Sequence, residues 1–279
     1  MTYLMFDIGG TNTRVAVSKD LKRYDEAVTF KTSKDFKKGV AAIVEAAGKL
    51  TDDDIQGIAG GIRGMLDADR VELAYDTVLT GWIDKPLVAT LKKELKAPVL
   101  LENDAAVAGL GEAHFGAGKG HEIVAYHTIS TGVGGVKIEN GSIDSYHIGF
   151  EPGHQVLDID RTILGEDTLP TLENLISGGA IEERMNTKPY EIPQEDTLWD
   201  QLAHYLAYGL RNTVLYWSPD IIVLGGSMIL GNPRILLDDI QKHANDVFGE
   251  DVSCPLIVDA ELGDLAGIYG AMVLLRNMD

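Results

Sequence analysis

A strand ending in Asp, a Gly-Gly-Thr turn and a second strand open the chain, and a strand, a glycine turn and a strand open it again just after residue 120. The first instance runs Tyr3 to Ile8, Gly9-Gly10-Thr11 and Arg14 to Ser18. The second runs Glu122 to Ile129, Ser130-Thr131-Gly132-Val133-Gly134-Gly135 and Val136 to Glu139. Such short glycine links between apolar runs make antiparallel hairpins. The match of Asp7-Ile8-Gly9-Gly10-Thr11 to Ile129-Ser130-Thr131-Gly132 is short, so repetition of form is better supported than repetition of sequence.

Around each hairpin, helical and strand patterns alternate. The first half continues with a strand near Ala27 to Thr32, helix Asp35 to Leu50, strand Ile55 to Ile62, helix Lys85 to Lys96, strand Pro98 to Glu102 and helix Ala105 to Phe115. Beyond the joint Gly116-Ala117-Gly118-Lys119-Gly120 and the second hairpin come helices Thr171 to Met185 and Thr197 to Trp217, strand Asp220 to Leu224, helix Pro233 to Phe248, strand Pro255 to Val258 and helix Leu265 to Met278. Alternation of this kind favours an α/β fold with mainly parallel or mixed sheets flanked by helices. At 279 residues the chain exceeds one average domain of roughly 150 residues and has material for two cores.

The hairpins bring chemistry with them. Asp7 offers a carboxylate, Gly9 and Gly10 close backbone amides and Thr11 a hydroxyl, a set suited to phosphate and magnesium; the alternative is a tight turn and nothing more. Thr131, Gly132, Gly134 and Gly135 form a second phosphate-shaped turn, and two such turns facing each other would hold a triphosphate from both sides. A third turn, Gly225-Gly226-Ser227, follows the apolar Ile222-Val223-Leu224 and suits adenine or ribose, or simply links strand to helix. Neither a Gly-Lys-Ser/Thr phosphate loop nor a strict G-x-G-x-x-G fingerprint is present, which disfavours those two nucleotide folds.

Leu100-Leu101-Glu102-Asn103-Asp104-Ala105 places three polar residues where an apolar strand gives way to a helix of small residues. Asp104 there is a candidate general base or a helix N-cap. In Tyr146 to His154, Pro152 and Gly153 stiffen a turn that would aim Glu151 and His154 together at sugar hydroxyls, or leave both as solvated loop residues.

The balance of 24 Lys+Arg against 43 Asp+Glu, 24 − 43 = −19, sets a field that repels nucleic acid and acidic membranes. A small nucleotide remains admissible, since it needs amides and a metal ion rather than a basic surface. Cys254 is the single cysteine, so neither an intrachain disulfide nor a cysteine-cluster metal site can form. With no basic n-region and no run of about 18 apolar residues, a cytoplasmic protein is expected.

Taken in order, these residues resemble the ROK family (repressors, open reading frames and kinases) of the actin-like ATPase superfamily, over nearly the whole chain. Asp7 to Thr11 resembles its first phosphate motif, Gly60-Gly61 its sugar-contacting glycine turn, Glu102-Asn103-Asp104-Ala105 its catalytic-aspartate motif and Thr131 to Gly135 its second phosphate loop. Glu151-Pro152-Gly153-His154 is similar to its sugar-binding Glu-x-Gly-His. Leu172-Glu173 with Ser177-Gly178-Gly179 resembles the stretch that adds a sugar-binding glutamate and part of the nucleotide pocket, and Pro219 to Gly226 the adenosine motif. Ala260 to Ala271 resembles its entry into the last helix.

The resemblance implies two actin-like (ribonuclease H-like) domains around an interdomain cleft: a smaller one from residues 1–115 plus 266–279, and a larger one from 116–265. It implies ATP-dependent phosphorylation of a hexose hydroxyl, with Asp104 as base and Gly60, Gly61, Asn103, Glu151, His154 and Glu173 at the sugar. Asp7 would hold Mg2+ through water, while Gly9, Gly10, Thr11, Thr131, Gly132, Gly134, Ser177, Gly178, Gly225, Gly226 and Ser227 meet ATP. Glucose, giving a sugar 6-phosphate, is the first candidate acceptor, with N-acetylmannosamine or N-acetylglucosamine next.

Two departures stand out. The zinc-binding Cys-x-Cys-Gly-x-x-Gly-Cys cluster of many members is missing, since Val156 to Thr171 contains no cysteine, and no zinc is expected. Asn12 stands where the family often has lysine. From another class, a sugar-sensing regulator would carry an N-terminal helix-turn-helix ahead of a hairpin that here starts by Asp7, and an ATP-hydrolysing binding protein would ignore sugars. A homodimer is the commonest oligomer to expect.

Overall fold

The computed structural model describes residues 1–278. They fall into two compact units: Met1–Phe115, Ser145–Gly149 and the segment from Asp264 form one, Gly116–Asp144 and Phe150–Gly263 the other.

In the first unit β1 (Thr2–Ile8), β2 (Asn12–Ser18) and β3 (Glu26–Lys31) form an antiparallel meander. Helix α1 (Phe36–Leu50) leads to β4 (Ile55–Ile62), a small ribbon of β5 (Met65–Leu66) and β6 (Leu73–Tyr75), α2 (Leu87–Leu95), β7 (Val99–Asn103) and α3 (Asp104–Phe115). The sheet order is β3-β2-β1-β4-β7, with β4 parallel to both β1 and β7.

Alternation along β1 sends Leu4, Phe6 and Ile8 into one core with α1 and α2. Met5 goes to the other face, where Val107 of α3 and Ile268, Ala271 and Met272 cover the sheet. Asp7 has the parity of Met5, so its side chain must emerge on the α3 side. Helix α1 starts on Asp35, whose carboxylate accepts from the Lys38 amide at 2.9 Å, and its buried Val40, Ile43, Ala46 and Ala47 repeat at helical spacing.

The second unit winds the same way. Strands β8 (Ile123–Ile129), β9 (Val133–Glu139) and β10 (Ser142–Ile143) are antiparallel, followed by α4 (Leu172–Ile176), α5 (Gly178–Met185), α6 (Leu198–Trp217), β11 (Ile221–Gly225), α7 (Ser227–Leu230), α8 (Leu237–Phe248) and β12 (Leu256–Asp259). Its order, β10-β9-β8-β11-β12, again pairs an antiparallel meander with parallel strands. The expected repetition of form is thus a repetition of topology. Ala125, Ile129, Ile222 and Leu224 share a core with residues of α4, α6 and α8. The final helix, α9 (Ala266–Arg276), belongs to the first unit, where Ala266 and Gly270 lie against Gly111 of α3.

Three sequence expectations need correction. Gly60 and Gly61 are not a turn; they lie inside β4, paired with Phe6 and Asp7 of β1. Gly134 and Gly135 lie in the β8–β9 ladder opposite Thr128 and His127, so the second glycine turn is shorter than expected. The helix expected over Thr171 to Met185 is two helices, broken at Ser177, whose extended ψ of 151° and side-chain bond to the Ala180 amide start a new N-terminus. Among the described residues no helix is long and apolar enough to cross a membrane.

Candidate active site

Strand β7 runs into α3 without a loop, and Asn103 makes the junction. Its Oδ1 accepts from the Ala106 amide at 3.1 Å and its Nδ2 donates to the Gly64 carbonyl at 3.0 Å. The capping role is therefore filled by Asn103, and Asp104, whose Oδ1 accepts from the Ala105 amide at 2.9 Å, is not needed for it.

Gly61 is what lets this residue come so near the sheet: a Cβ there would stand 2.9 Å from Asp104 Cα. Gly60 faces the opposite side, where a Cβ would stand 2.2 Å from the Phe6 carbonyl oxygen. Both glycines are thus required by close backbone approach.

Asp7 occupies the end of β1, on the α3 side as parity requires. Gly267 of α9 abuts it, since a Cβ at 267 would stand 2.9 Å from Asp7 Cγ. Arg14 reaches Asp7 Oδ2 at 3.5 Å and Asp264 Oδ2 at 2.9 Å. Burial is the main force pushing the Asp7 pKa up to about 7, with the Asp104 charge adding to it and Arg14 opposing it. The Asp104 pKa is raised to about 6, again chiefly by burial, against the pull of the Arg63 guanidinium. Two oxygen-donor side chains that repel each other in a poorly solvated place fit a hard divalent cation.

The Gly9-Gly10 turn closes through Gly9 N–H to the Asn12 carbonyl at 3.0 Å, and Thr32 Oγ1 donates to the Gly9 carbonyl at 2.8 Å. Thr11 is exposed beside it. Behind Asn103, Glu102 is buried at 3% exposure and receives Arg70 Nη1 at 3.1 Å, the Asn103 amide at 2.8 Å and the Tyr146 hydroxyl. The Arg70 guanidinium stacks over the Tyr146 ring, 4.4 Å from its centroid. Arg63 and Arg70 carry no signal in the sequence, because isolated arginines in loops have no pattern that separates them from solvated ones.

In the second unit three expected nucleotide segments converge on Ser130. Its carbonyl accepts from the Gly178 amide at 2.7 Å, the Thr131 carbonyl accepts from Gly179 at 3.1 Å, and the Ser130 and Ser227 hydroxyls meet at 3.0 Å. Gly226 has φ of +88°, and a Cβ there would stand 2.3 Å from the Ile129 carbonyl oxygen. A Cβ on Gly225 would stand 2.5 Å from the Tyr126 hydroxyl.

Glu173 also belongs to this cluster: its Oε2 accepts from the Val133 amide at 2.8 Å, and a Cβ on Gly132 would stand 2.7 Å from that oxygen. Glu151 is half-buried and His154 exposed at the two ends of a short turn, with Gly153 pressed against the Val133 carbonyl.

After His154, the cysteine-free stretch is organised by Asp158, which accepts from the amides of Thr162, Ile163 and Leu164 at 3.0, 3.1 and 2.8 Å. Arg161 donates to the carbonyls of Glu166 and Thr168 at 2.7 and 2.8 Å.

A repeated β-meander with parallel strands beyond it, and phosphate-sized glycine turns at the hairpins, define the two-domain actin-like class of α/β proteins. Residues 3–278 match the model of the ROK family, and the chain belongs to that family.

Among known proteins it is similar to the fructokinase of Lactococcus lactis subsp. cremoris, 27% identical over 92% of this chain and 89% of that one. It is also similar to the glucokinase of Halalkalibacterium halodurans, 26% identical over 99% of this chain and 96% of that one. Among solved structures, a ROK family glucokinase from Streptomyces griseus in complex with glucose and AMPPNP superposes with a TM-score of 0.81 at 25% identity, covering 99% of this chain and all (100%) of that one.

Proposed function

We propose that this sugar phosphotransferase moves the γ-phosphoryl group of ATP to a hydroxyl of a hexose, with Asp104 as the general base. The observation that carries the reading is Asp104 itself: a poorly solvated carboxylate at the first turn of α3, relieved of capping by Asn103, with its pKa raised to about 6. A base near that value is ionised at neutral pH yet still able to take a proton.

The sugar oxygen forms its bond to the γ-phosphorus as the bond from phosphorus to the β,γ-bridging oxygen breaks, ADP leaves, and the hydroxyl proton passes to an Asp104 oxygen. Asn103, Glu151, His154 and Glu173 are the candidates for holding sugar hydroxyls. Gly60 and Gly61 shape the sheet beneath Asp104.

The Gly9-Gly10-Thr11 turn and the cluster of Thr131, Gly132, Gly134, Ser177, Gly178, Gly225, Gly226 and Ser227 are the candidates for ATP. Asp7 suits magnesium held through water, and a bound magnesium ion would neutralise phosphate charge. Glucose is the acceptor we favour, with sugar 6-phosphate as product, in a cytoplasmic protein.

A coupled ADP-release assay over glucose, fructose, mannose, N-acetylmannosamine and N-acetylglucosamine tests the reading. Sugar-dependent ADP release is expected, strongest with glucose. ATP hydrolysis that no sugar changes would reject it.

A further inference from the structure

Arg63 follows β4 directly, and its guanidinium lies on the first glycine turn. A Cβ on Gly10 would stand 2.6 Å from Arg63 Nη1 and 3.2 Å from Arg63 Cδ. The guanidinium is held there from behind. Arg63 Nε donates to Asp76 Oδ1 at 3.1 Å, with the Arg63 side chain 23% and the Asp76 side chain 4% exposed. The other Asp76 oxygen accepts from the amides of Val78 and Leu79 at 3.2 and 2.7 Å, which pins the carboxylate in one orientation.

Only the Nε edge is taken up by this arrangement. The N–H groups on Nη1 and Nη2 have no acceptor among the described residues. A planar, permanently charged fork, fixed at one edge and turned with its other edge over a turn of backbone amides, is a receptor for a tetrahedral or trigonal oxyanion. The same charge also acts on Asp104, whose pKa it holds down against the effect of burial.

We propose that Arg63 is a catalytic residue whose Nη edge hydrogen-bonds the oxygens of the phosphoryl group in transit from nucleotide to sugar; this rests on the kinase reading above. A guanidinium in that place stabilises charge that spreads over the equatorial oxygens as the group transfers. Asp76 acts through it as a positioning residue. The plain alternative is that Arg63 only neutralises Asp76 in the fold. Asp76 already has two amide donors, and the competing readings predict different kinetics.

The test compares wild type, Arg63→Gln and Arg63→Lys. With the most active sugar of the panel, Arg63→Gln should lose about 10³-fold in kcat, with the sugar KM changed less than about threefold and an unchanged circular dichroism spectrum. Arg63→Lys should recover part of the loss, because it returns the charge without the fork. Binding of inorganic phosphate, read by calorimetry, should weaken by about tenfold or more in Arg63→Gln.

Wild-type kcat in Arg63→Gln, or phosphate binding that the substitution leaves alone, would overturn the inference. If Arg63→Gln does not fold, the Arg63→Lys kinetics and phosphate binding decide on the same terms. Should wild type release no ADP with any sugar while phosphate binding still depends on Arg63, the kinase reading falls and the anion site stands.

Discussion

The two units wind five strands in the same order, yet the hairpins that open them differ in chemistry. In the first, Asp7 and Arg14 face each other on β1 and β2, and the charge of Asp104, at the start of α3, acts on Asp7, so ionisable groups gather at the end of β1. In the second, the corresponding turn carries Ser130 and Thr131; their carbonyls accept from the amides that open α5, and the Ser130 hydroxyl meets that of Ser227.

One topology thus supports a half with clustered ionisable side chains and a half of hydroxyls and amides. The difference arises at a few polar residues at strand ends and helix starts, outside the apolar cores.

Asp104→Asn should break the comparison most sharply. Turnover should fall by about 10²- to 10⁴-fold while sugar binding, followed by calorimetry, changes little; wild-type-like turnover would move the base elsewhere.

Next come the glycines of close approach. Gly60→Ala and Gly226→Ala should each lower unfolding free energy by about 1–3 kcal/mol in urea titrations, because each new Cβ meets a backbone carbonyl that cannot move freely. Their kinetic signatures should differ: Gly226→Ala raises the KM for ATP, and Gly60→Ala that for sugar. The same signature in both would abolish the division between the halves.

The smallest effect is a pH dependence. Asp7 is raised to about 7 and Asp104 to about 6 from 3.8, so between those limits the folded protein binds more protons than the unfolded chain. These two groups therefore reduce stability as pH rises from about 4 to about 7, the opposite of a salt-bridged carboxylate. Asp7→Asn should accordingly melt above wild type at pH 8 without metal, and the gap should close near pH 4. A gap independent of pH would mean that the aspartate is not buried in its charged form.

Much of the fold was legible beforehand. The apolar run of β1, the helical pattern of α1 and the small-residue α3 are legible in composition, period and end signals. Asp7 and Asp104 stood out because each is polar at the end of an apolar strand. Gly60 and Gly61 misled, because glycine reads locally as a turn, whereas here the cause is a neighbouring strand and helix from elsewhere in the chain. Ser177 splits one expected helix because its hydroxyl caps the Ala180 amide, a break that the weak helix formers Gly178 and Gly179 also signal.

By itself the sequence determined which segments are strands and helices, where the glycine turns fall and that a carboxylate stands at the start of α3, because period, parity and capping act over a few residues. Only the tertiary structure decided that Glu173 reaches back to the Val133 amide and that Arg63 lies over Gly10. Those relations join residues far apart in the chain. They depend on how strands register and helices approach, and local pattern does not encode that geometry.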